Sequence, residues 1–354
     1  MATAIVSYLK PPSSLIVNSR RFLDTRTSCI FNRSSSFSFA AKNIRASSTA
    51  AIPVVETKPE DDAVIENKEA RSSSRNIIAC PICYEPLSLI GDRVLSVDCD
   101  GLSFECGSCK KRYYGKETHI DLTVASGATQ YDDSMPLATE FFRLPVISYL
   151  YERGWRQNFV WGGFPGPEKE FELMKDYLKP VLGGKIIDAS CGSGLFSRLF
   201  AKSGLFSDVV ALDYSENMLQ QCFEFIKQDK EFFKEKLILV RADISRLPFL
   251  SGSVDAVHAG AAIHCWPSPP GATAEISRVL KPGGVLVAST FILDGPFRFL
   301  PLLGPLRQNI AQISGSQIFL RERELEDICR ACGLVGFTST RERQFIMFSA
   351  RKPS

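Results

Sequence analysis

The chain has no uninterrupted apolar run of about 18 residues, the length a helix needs to cross a bilayer. The nearest approach, from Val285 to Leu306, is broken by Asp294, Arg298 and several prolines, which excludes a transmembrane helix. Nor is there an excess of charge of one sign: 42 Lys+Arg stand against 39 Asp+Glu, a net of +3 over 354 residues. That balance is no overall footprint for nucleic acid, although a local basic patch is compatible with it. The sequence shows no internal repeat, and its N-terminus lacks the compact apolar segment of a secretory signal. What is present is ordinary for a globular protein: 45% apolar and 23% charged residues, enough for a sizeable core and about two domains.

Acidic residues are scarce at one end. Residues 1–50 carry Lys10, Arg20, Arg21, Arg26, Arg33, Lys42 and Arg45 against Asp24, among many serines. An Arg/Ser-rich, acid-poor start is the composition of an organelle transit peptide, and the Met-Ala opening and serine content favour a plastid. Residues 51–75 turn acidic and then Ser-rich without periodicity, as a disordered linker does. Three further regions follow by pattern. Residues 76–125 are Cys-rich with short β-like runs. Residues 135–180 read as a helical cap, with Phe141, Phe142, Ile147, Leu150 and Tyr151 on one stripe. From 181 to 354, apolar runs of strand length alternate with amphipathic segments of helix length: Lys185–Ala189, Val209–Leu212, Leu237–Arg241, Val254–Ala259 and Val285–Thr290. That alternation predicts βαβ units around a parallel sheet. A helix over Glu322–Cys332 and two strands, near Phe337–Arg341 and Phe345–Ala350, are expected to close the chain.

Four of the 11 cysteines form two knuckles, Cys80-Pro-Ile-Cys83 and Cys106-Gly-Ser-Cys109. Two thiolates separated by two residues can turn toward one ion, and a second pair completes a tetrahedron. A segment so short has too little core to fold alone, so a bound Zn2+ would supply folding free energy. A closed four-thiolate site leaves no position for water, which makes its expected role structural. A redox dithiol or a disulfide pair are the competing readings; a reducing stroma argues against structural disulfides. Cys99 and His119 lie nearby and are taken as bystanders.

The most informative stretch is Lys185-Ile-Ile-Asp-Ala-Ser-Cys-Gly-Ser-Gly194. An apolar strand ends at an acid, and Gly192 and Gly194 permit a tight turn against which a nucleotide-type ligand can lie. A dinucleotide fold is the obvious rival. Two features oppose it: Ser197 occupies the third glycine position, and Asp188 precedes the turn, where a carboxylate would repel a pyrophosphate. An acid there suits a ligand carrying an ammonium and a sulfonium, such as S-adenosyl-L-methionine. Val209-Val-Ala-Leu-Asp213 is a second strand ending in an acid, placed to take ribose hydroxyls. Leu237-Ile-Leu-Val-Arg-Ala-Asp243 repeats the arrangement, with Asp243 placed to accept from an adenine amino group. Any one of these is equally a helix cap; three on successive strands form a pattern.

Taken together, Asp188-Ala-Ser-Cys-Gly-Ser-Gly194, Leu212-Asp213-Tyr-Ser-Glu-Asn-Met218, Ala242-Asp243-Ile-Ser-Arg-Leu-Pro-Phe249, Ser253-Val-Asp-Ala-Val-His258 and Arg278-Val-Leu-Lys-Pro-Gly-Gly284 resemble the successive motifs of class I S-adenosylmethionine-dependent methyltransferases of the UbiE-like kind. The resemblance runs from about 170 to 350. It implies an α/β, Rossmann-like seven-stranded sheet with helices on both faces, preceded by a small four-cysteine zinc ribbon. It also implies that Asp188, Ser190, Gly192 and Gly194 line the methionine and ribose part, with Asp213 and Tyr214 at the ribose. Asp243 and Ile244 would meet the adenine, and Ala259 and Gly260 the sulfonium. Ser190 departs from the family, which often has Gly there, and the turn is expected to be altered accordingly. The whole arrangement is similar to uncharacterised chloroplast methyltransferases of plants and to bacterial rRNA guanine methyltransferases that carry an N-terminal zinc ribbon.

Methyl transfer from a sulfonium is an in-line displacement, so alignment and water exclusion carry most of the catalysis. A general base is needed only for an acceptor that must lose a proton. His264, after the fourth strand of the parallel set, is the candidate, against the plainer reading of a packed histidine. His258 is expected in the core, and Trp266 either walls an acceptor pocket or packs. The irregular apolar segment Phe291–Gly304, with Phe297, Phe299, Leu300, Leu302 and Leu303, faces a cap containing Tyr149, Trp155, Phe159 and Trp161 as the two walls of a lid. The expected acceptor is a hydrophobic small molecule, such as a lipid or a plastid quinone, reached in the stroma or at a lipid surface such as a plastoglobule. Two alternatives stand. One is an RNA methyltransferase whose ribbon clamps RNA through Lys110, Lys111, Arg112 and Lys116 with Tyr113 and Tyr114 interleaved; the other is a non-catalytic relative that binds cofactor only.

Overall fold

The computed structural model describes residues 77–91, 95–127, 140, 143–155, 159–160, 163–229, 232, 236–292 and 320–354. The expected transit peptide and linker lie outside the described residues, as do Phe141, Phe142, Trp161, Phe297, Phe299, Leu300, Leu302 and Leu303.

Strands β1 (Leu87–Ile90), β2 (Ser103–Cys106) and β3 (Arg112–Gly115) form an antiparallel meander, to which the short β4 (Ile120–Asp121) adds. Leu87, Phe104, Tyr113 and Ile120 point inward and are buried. A meander this small has one apolar face and no second layer of its own. It finds that layer in the rest of the chain.

The larger part is built on β5 (Lys185–Ala189), β6 (Asp208–Asp213), β7 (Leu237–Arg241), β8 (Val254–Ala259) and β9 (Leu280–Phe291), all parallel. Two strands follow antiparallel, β10 (Val335–Glu342) and β11 (Phe345–Arg351), the latter inserted between β9 and β10. The order β7-β6-β5-β8-β9-β11-β10 is the expected seven-stranded sheet. Its strands are near-continuous Val/Ile/Leu/Ala runs because helices cover both faces. Chief among these are α2 (Pro167–Leu178), α3 (Leu195–Ser203), α4 (Glu216–Gln228), α5 (Pro269–Val279) and α6 (Glu322–Ala331). Helix α4 starts where Ser215 Oγ accepts from the Met218 N–H, and it buries Met218, Leu219, Cys222 and Ile226 at helical spacing. Chain order reverses beside β5, so a crevice opens at the carboxyl ends of β5, β6 and β8, the usual ligand position of such sheets.

The ribbon strands extend the same sheet. Ile120 and Asp121 pair in parallel with Val240 and Arg241 on β7, giving eleven strands in one sheet. The Arg241 guanidinium locks the seam, 3.2 Å from Asp121 Oδ2 and 2.7 Å from Glu216 Oε1. Ile78, Leu87, Phe104, Tyr113 and Ile120 belong to the same apolar cluster as Val210, Leu212, Val240 and Phe249. The core that the short segment lacks is therefore supplied in part by the parallel sheet.

Of the expected cap stripe, Ile147, Leu150 and Tyr151 fall within the described residues. Helix α1 (Pro145–Leu150) is six residues long and passes into a π-helical turn over Tyr151–Trp155. Ile147 and Tyr151 are half-buried, whereas Leu150 is 42% exposed.

Candidate active site

Beyond Ala189 the chain turns through three residues of left-handed backbone, Ser190 (φ 57°), Gly192 (φ 57°) and Gly194 (φ 78°), before α3 begins. At Gly194 a side chain would also start 2.1 Å from Cys222 Sγ, so both backbone and packing demand glycine. Ser190 adopts the same conformation without that freedom. Its Oγ accepts from the Trp266 indole N–H at 3.0 Å, which ties the turn to the segment after β8. The departure from glycine thus keeps the turn and adds a tether.

The crevice is concave, partly open and mostly apolar. Ser190, Gly192, Asp213, Tyr214, Asp243 and Ile244 line it together with Ala261, Cys265 and Trp266. Asp213 Oδ2 accepts from the Gly192 N–H and Oδ1 from the Ser215 N–H, both at 2.8 Å. Burial pushes its carboxyl up to about 6, against the opposite pull of those two backbone donors and with the Asp188 charge adding to the rise. Asp243 Oδ1 accepts from the Ser245 N–H at 2.8 Å, which orients the carboxylate at the end of β7. The guanidinium groups of Arg143 and Arg241 each lie 5.3 Å from the Tyr214 ring centroid and hold it in place.

The remaining expected residues do not line the crevice. Asp188 is buried, with Oδ1 on His258 Nδ1 at 2.7 Å and Oδ2 accepting from Ser197 Oγ at 2.5 Å. Ala259 is fully buried, while Gly260 is half-buried and directly precedes Ala261. His264 is buried, its Nδ1 paired with Thr290 Oγ1 at 3.0 Å, and burial pushes its pKa down to about 4. Trp266 is 3% exposed and forms part of the crevice wall.

A clamp over the glycine turn was not legible in the sequence. Glu152, in the π-helical turn, accepts from Ser193 Oγ at 2.5 Å and pairs with Arg198 at 2.6 Å, while the Tyr151 ring packs above Gly192. Neither Glu152 nor Arg198 sits in a motif, and no local spacing announces a pair so far apart in the chain.

Comparison with known proteins bears on this geometry. The family described as a methyltransferase domain matches residues 187–288, the strands and turns that build the crevice. The chloroplastic methyltransferase At1g78140 of Arabidopsis thaliana is 62% identical over 319 residues, covering 89% of this chain and 90% of that one. This chain belongs to the class I S-adenosylmethionine-dependent methyltransferases. A second Arabidopsis chloroplastic methyltransferase, At2g41040, is 45% identical over 357 residues, covering 99% of this chain and all of its own. The demethylmenaquinone methyltransferase of Staphylococcus haemolyticus is 31% identical over 143 residues, 40% of this chain and 52% of that protein. The chloroplastic names of the two plant relatives support a plastid setting for this methyltransferase.

The methyltransferase crevice fits S-adenosylmethionine by its donor set: two strand-end carboxylates, a turn with two glycines, and an apolar wall. The four-cysteine cluster likewise fits zinc. All four Sγ atoms lie within 4.8 Å of one another, with Cys80–Cys109 at 3.6 Å and Cys83–Cys106 at 3.4 Å. Thiolates around one zinc ion at ~2.3 Å are about 3.8 Å apart, so little movement is needed. The Ile82 N–H donates to Cys80 Sγ and the Cys109 N–H to Cys106 Sγ, and the Tyr113 hydroxyl lies 3.2 Å from Cys80 Sγ. Cys99 and His119 stand apart: Cys99 Sγ donates to the Lys116 carbonyl, and His119 Nδ1 pairs with Thr118 Oγ1.

The basic run of the ribbon is largely committed to the fold. Arg112 pairs with Glu105, Lys116 with Glu216 and Asp121, and Lys111 Nζ donates to the Val124 carbonyl. Tyr113 is buried against the cysteines and offers no face to a base.

Proposed function

We propose that this plastid methyltransferase acts on a hydrophobic small molecule, with a lipid or a quinone as the acceptor class. One observation carries the reading. Phe159 and Phe164 from the cap meet Phe291 at the end of β9, at 5.7 and 4.6 Å between ring centroids, and Phe291 in turn meets His264 at 5.5 Å. Tyr151 joins the same group through Phe159. An aromatic group that joins the cap to the end of β9 suits an apolar acceptor. The name of the demethylmenaquinone methyltransferase relative points in the same direction.

When bound, S-adenosylmethionine supplies a methyl group already activated by its sulfonium. The residues of this chain then bind, align and exclude water. In this reading Asp213 takes the ribose hydroxyls, Asp243 and Ile244 the adenine, and Ser190, Gly192 and Gly194 bring the backbone close to the cofactor. Gly260 and Ala259 lie beneath the sulfonium end, and Trp266 shields the site. His264 is neutral at physiological pH and is a weak base, so its part is to shape the acceptor pocket or to accept one hydrogen bond. The ribbon's Cys80, Cys83, Cys106 and Cys109 hold a structural zinc ion. A plastoglobule or another lipid surface of the plastid is the place where such an acceptor is met, and the Arg/Ser-rich first 50 residues act as the transit peptide.

The deciding experiment is unbiased as to acceptor. Purified enzyme is incubated with methyl-labelled cofactor and plastid extract, and the extract is fractionated. Label in the organic-soluble lipid fraction is the expected result; label in RNA or protein alone would replace this reading. Calorimetry with the cofactor, comparing wild type with Asp213→Ala, separates an active cofactor site from a relic: binding is expected, with a large loss in the variant.

A further inference from the structure

We propose that His258 Nε2 grips the amino-acid end of S-adenosylmethionine, accepting from its ammonium, and that Asp188 acts on that group through the imidazole rather than by contact. The inference rests on the cofactor-binding reading of the crevice and adds a positioning residue to it.

The parallel register places Asp188 on β5 directly beside His258 on β8. Asp188 turns both carboxylate oxygens inward, one to His258 Nδ1 at 2.7 Å and one to Ser197 Oγ. With the imidazole proton on Nδ1, facing the carboxylate, the ring's lone pair lies at Nε2. That atom is buried and has no hydrogen-bond partner. Interiors rarely leave such an acceptor unpaired without a ligand or a function. Nor can the ring swing elsewhere: Phe196 and Phe200 meet it edge to face at 5.1 and 5.3 Å.

What lies over Nε2 is Gly260. A side chain there would start 2.9 Å from His258 Cε1 and 3.3 Å from Nε2. The position therefore keeps the imidazole uncovered by any Cβ, one residue before Ala261 at the crevice. An acid at the end of β5 was expected to attract the ammonium directly. The structure instead buries it against His258, whose unpartnered nitrogen has the polarity an ammonium needs. A carboxylate behind the ring strengthens Nε2 as an acceptor, as second partners of histidine ligands do in metal sites.

The test uses two ligands that share the adenosine and the sulfur. S-adenosylhomocysteine has the amino-acid end and 5′-methylthioadenosine lacks it. Titration calorimetry is run on the full chain, wild type and His258→Asn, an exchange that keeps an amide group toward Asp188 but deletes the Nε2 position. The expected result is a loss of about tenfold or more for S-adenosylhomocysteine, the scale of a hydrogen bond to a charged group, with methylthioadenosine within about twofold. His258→Gln, whose amide reaches the Nε2 position, is expected to recover part of the loss. Should His258→Asn fail to fold, Gly260→Ala makes the same distinction by placing a methyl group over Nε2. Equal losses for both ligands would make His258 a structural strut and overturn the proposal, as would unchanged affinity for S-adenosylhomocysteine. Wild-type protein that binds neither ligand would overturn the cofactor reading itself.

Discussion

Asp213 carries two backbone hydrogen bonds and still has its carboxyl pushed up to about 6 by burial, so its charge changes just below neutrality. A ribose diol donates to the ionised form, and protonation removes an acceptor. Cofactor binding is therefore expected to be full above about pH 7 and to weaken by up to about tenfold per unit below pH 6. Binding pulls the carboxyl down, so complex formation near pH 5–6 should release a proton. His264 and His119, both pushed down to about 4 by burial, stay neutral in that window. Calorimetry with S-adenosylhomocysteine from pH 5 to 8 reads the profile; a flat curve in wild type, matching Asp213→Asn, would remove Asp213 from the ribose. At this scale the sequence was partly legible. Acids at strand ends are visible because an apolar run stops at them, and Asp213 and Asp243 do face the crevice. Asp188 has the same signature and faces the other way, toward His258 and α3. The pattern of a strand end records that an acid is there, not which neighbour claims it.

Strand limits were read closely because each parallel strand is a β-branched run bounded by polar residues, and β5, β7 and β8 match their expected spans. What no local pattern contains is the docking of the ribbon. The Ala79 N–H donates to the Pro248 carbonyl at 2.8 Å and the Leu250 N–H to the Ile77 carbonyl at 2.9 Å. Arg246 donates to the carbonyls of Pro81 and Ile82, inside the first cysteine knuckle. These bonds hold the segment that follows Asp243 and Ile244, so the four-cysteine cluster braces that side of the crevice. Removing the ion is expected to cost several kcal/mol, which at about 2–4 °C per kcal/mol for a domain of this size lowers Tm by about 10 °C. Cofactor affinity is expected to fall with it. Zinc content by atomic absorption, with melting and titration before and after chelation, tests both. One zinc per chain and a joint loss are expected; a Tm indifferent to chelation would show that the cluster holds no structural metal.

The two parts that composition separates, a Cys-rich ribbon and a parallel sheet, share one eleven-stranded sheet and one apolar cluster. Sequence showed that the ribbon was too small for a core of its own; it could not show which surface completes it, because Ile120 and Val240 are brought together only by the finished fold. The sharing protects β7 as well. Without β4, its outer edge would present unpaired N–H and C=O groups beside a buried apolar strand, a template for aggregation. Burial of Phe104, Tyr113 and Ile120 in common with Val240 and Phe249 couples the stability of one part to the other, since neither can expose its half of the cluster alone. Unfolding is therefore expected as a single transition in the scanning calorimeter, with calorimetric and van't Hoff enthalpies close to equal. Weakening the seam, by Arg241→Ala at the ion pair with Asp121, should lower the temperature of that one transition rather than split it. Two resolved transitions in wild type, the first abolished by chelation and the second unmoved, would mean that the ribbon folds as an independent module and that the shared cluster contributes little to either.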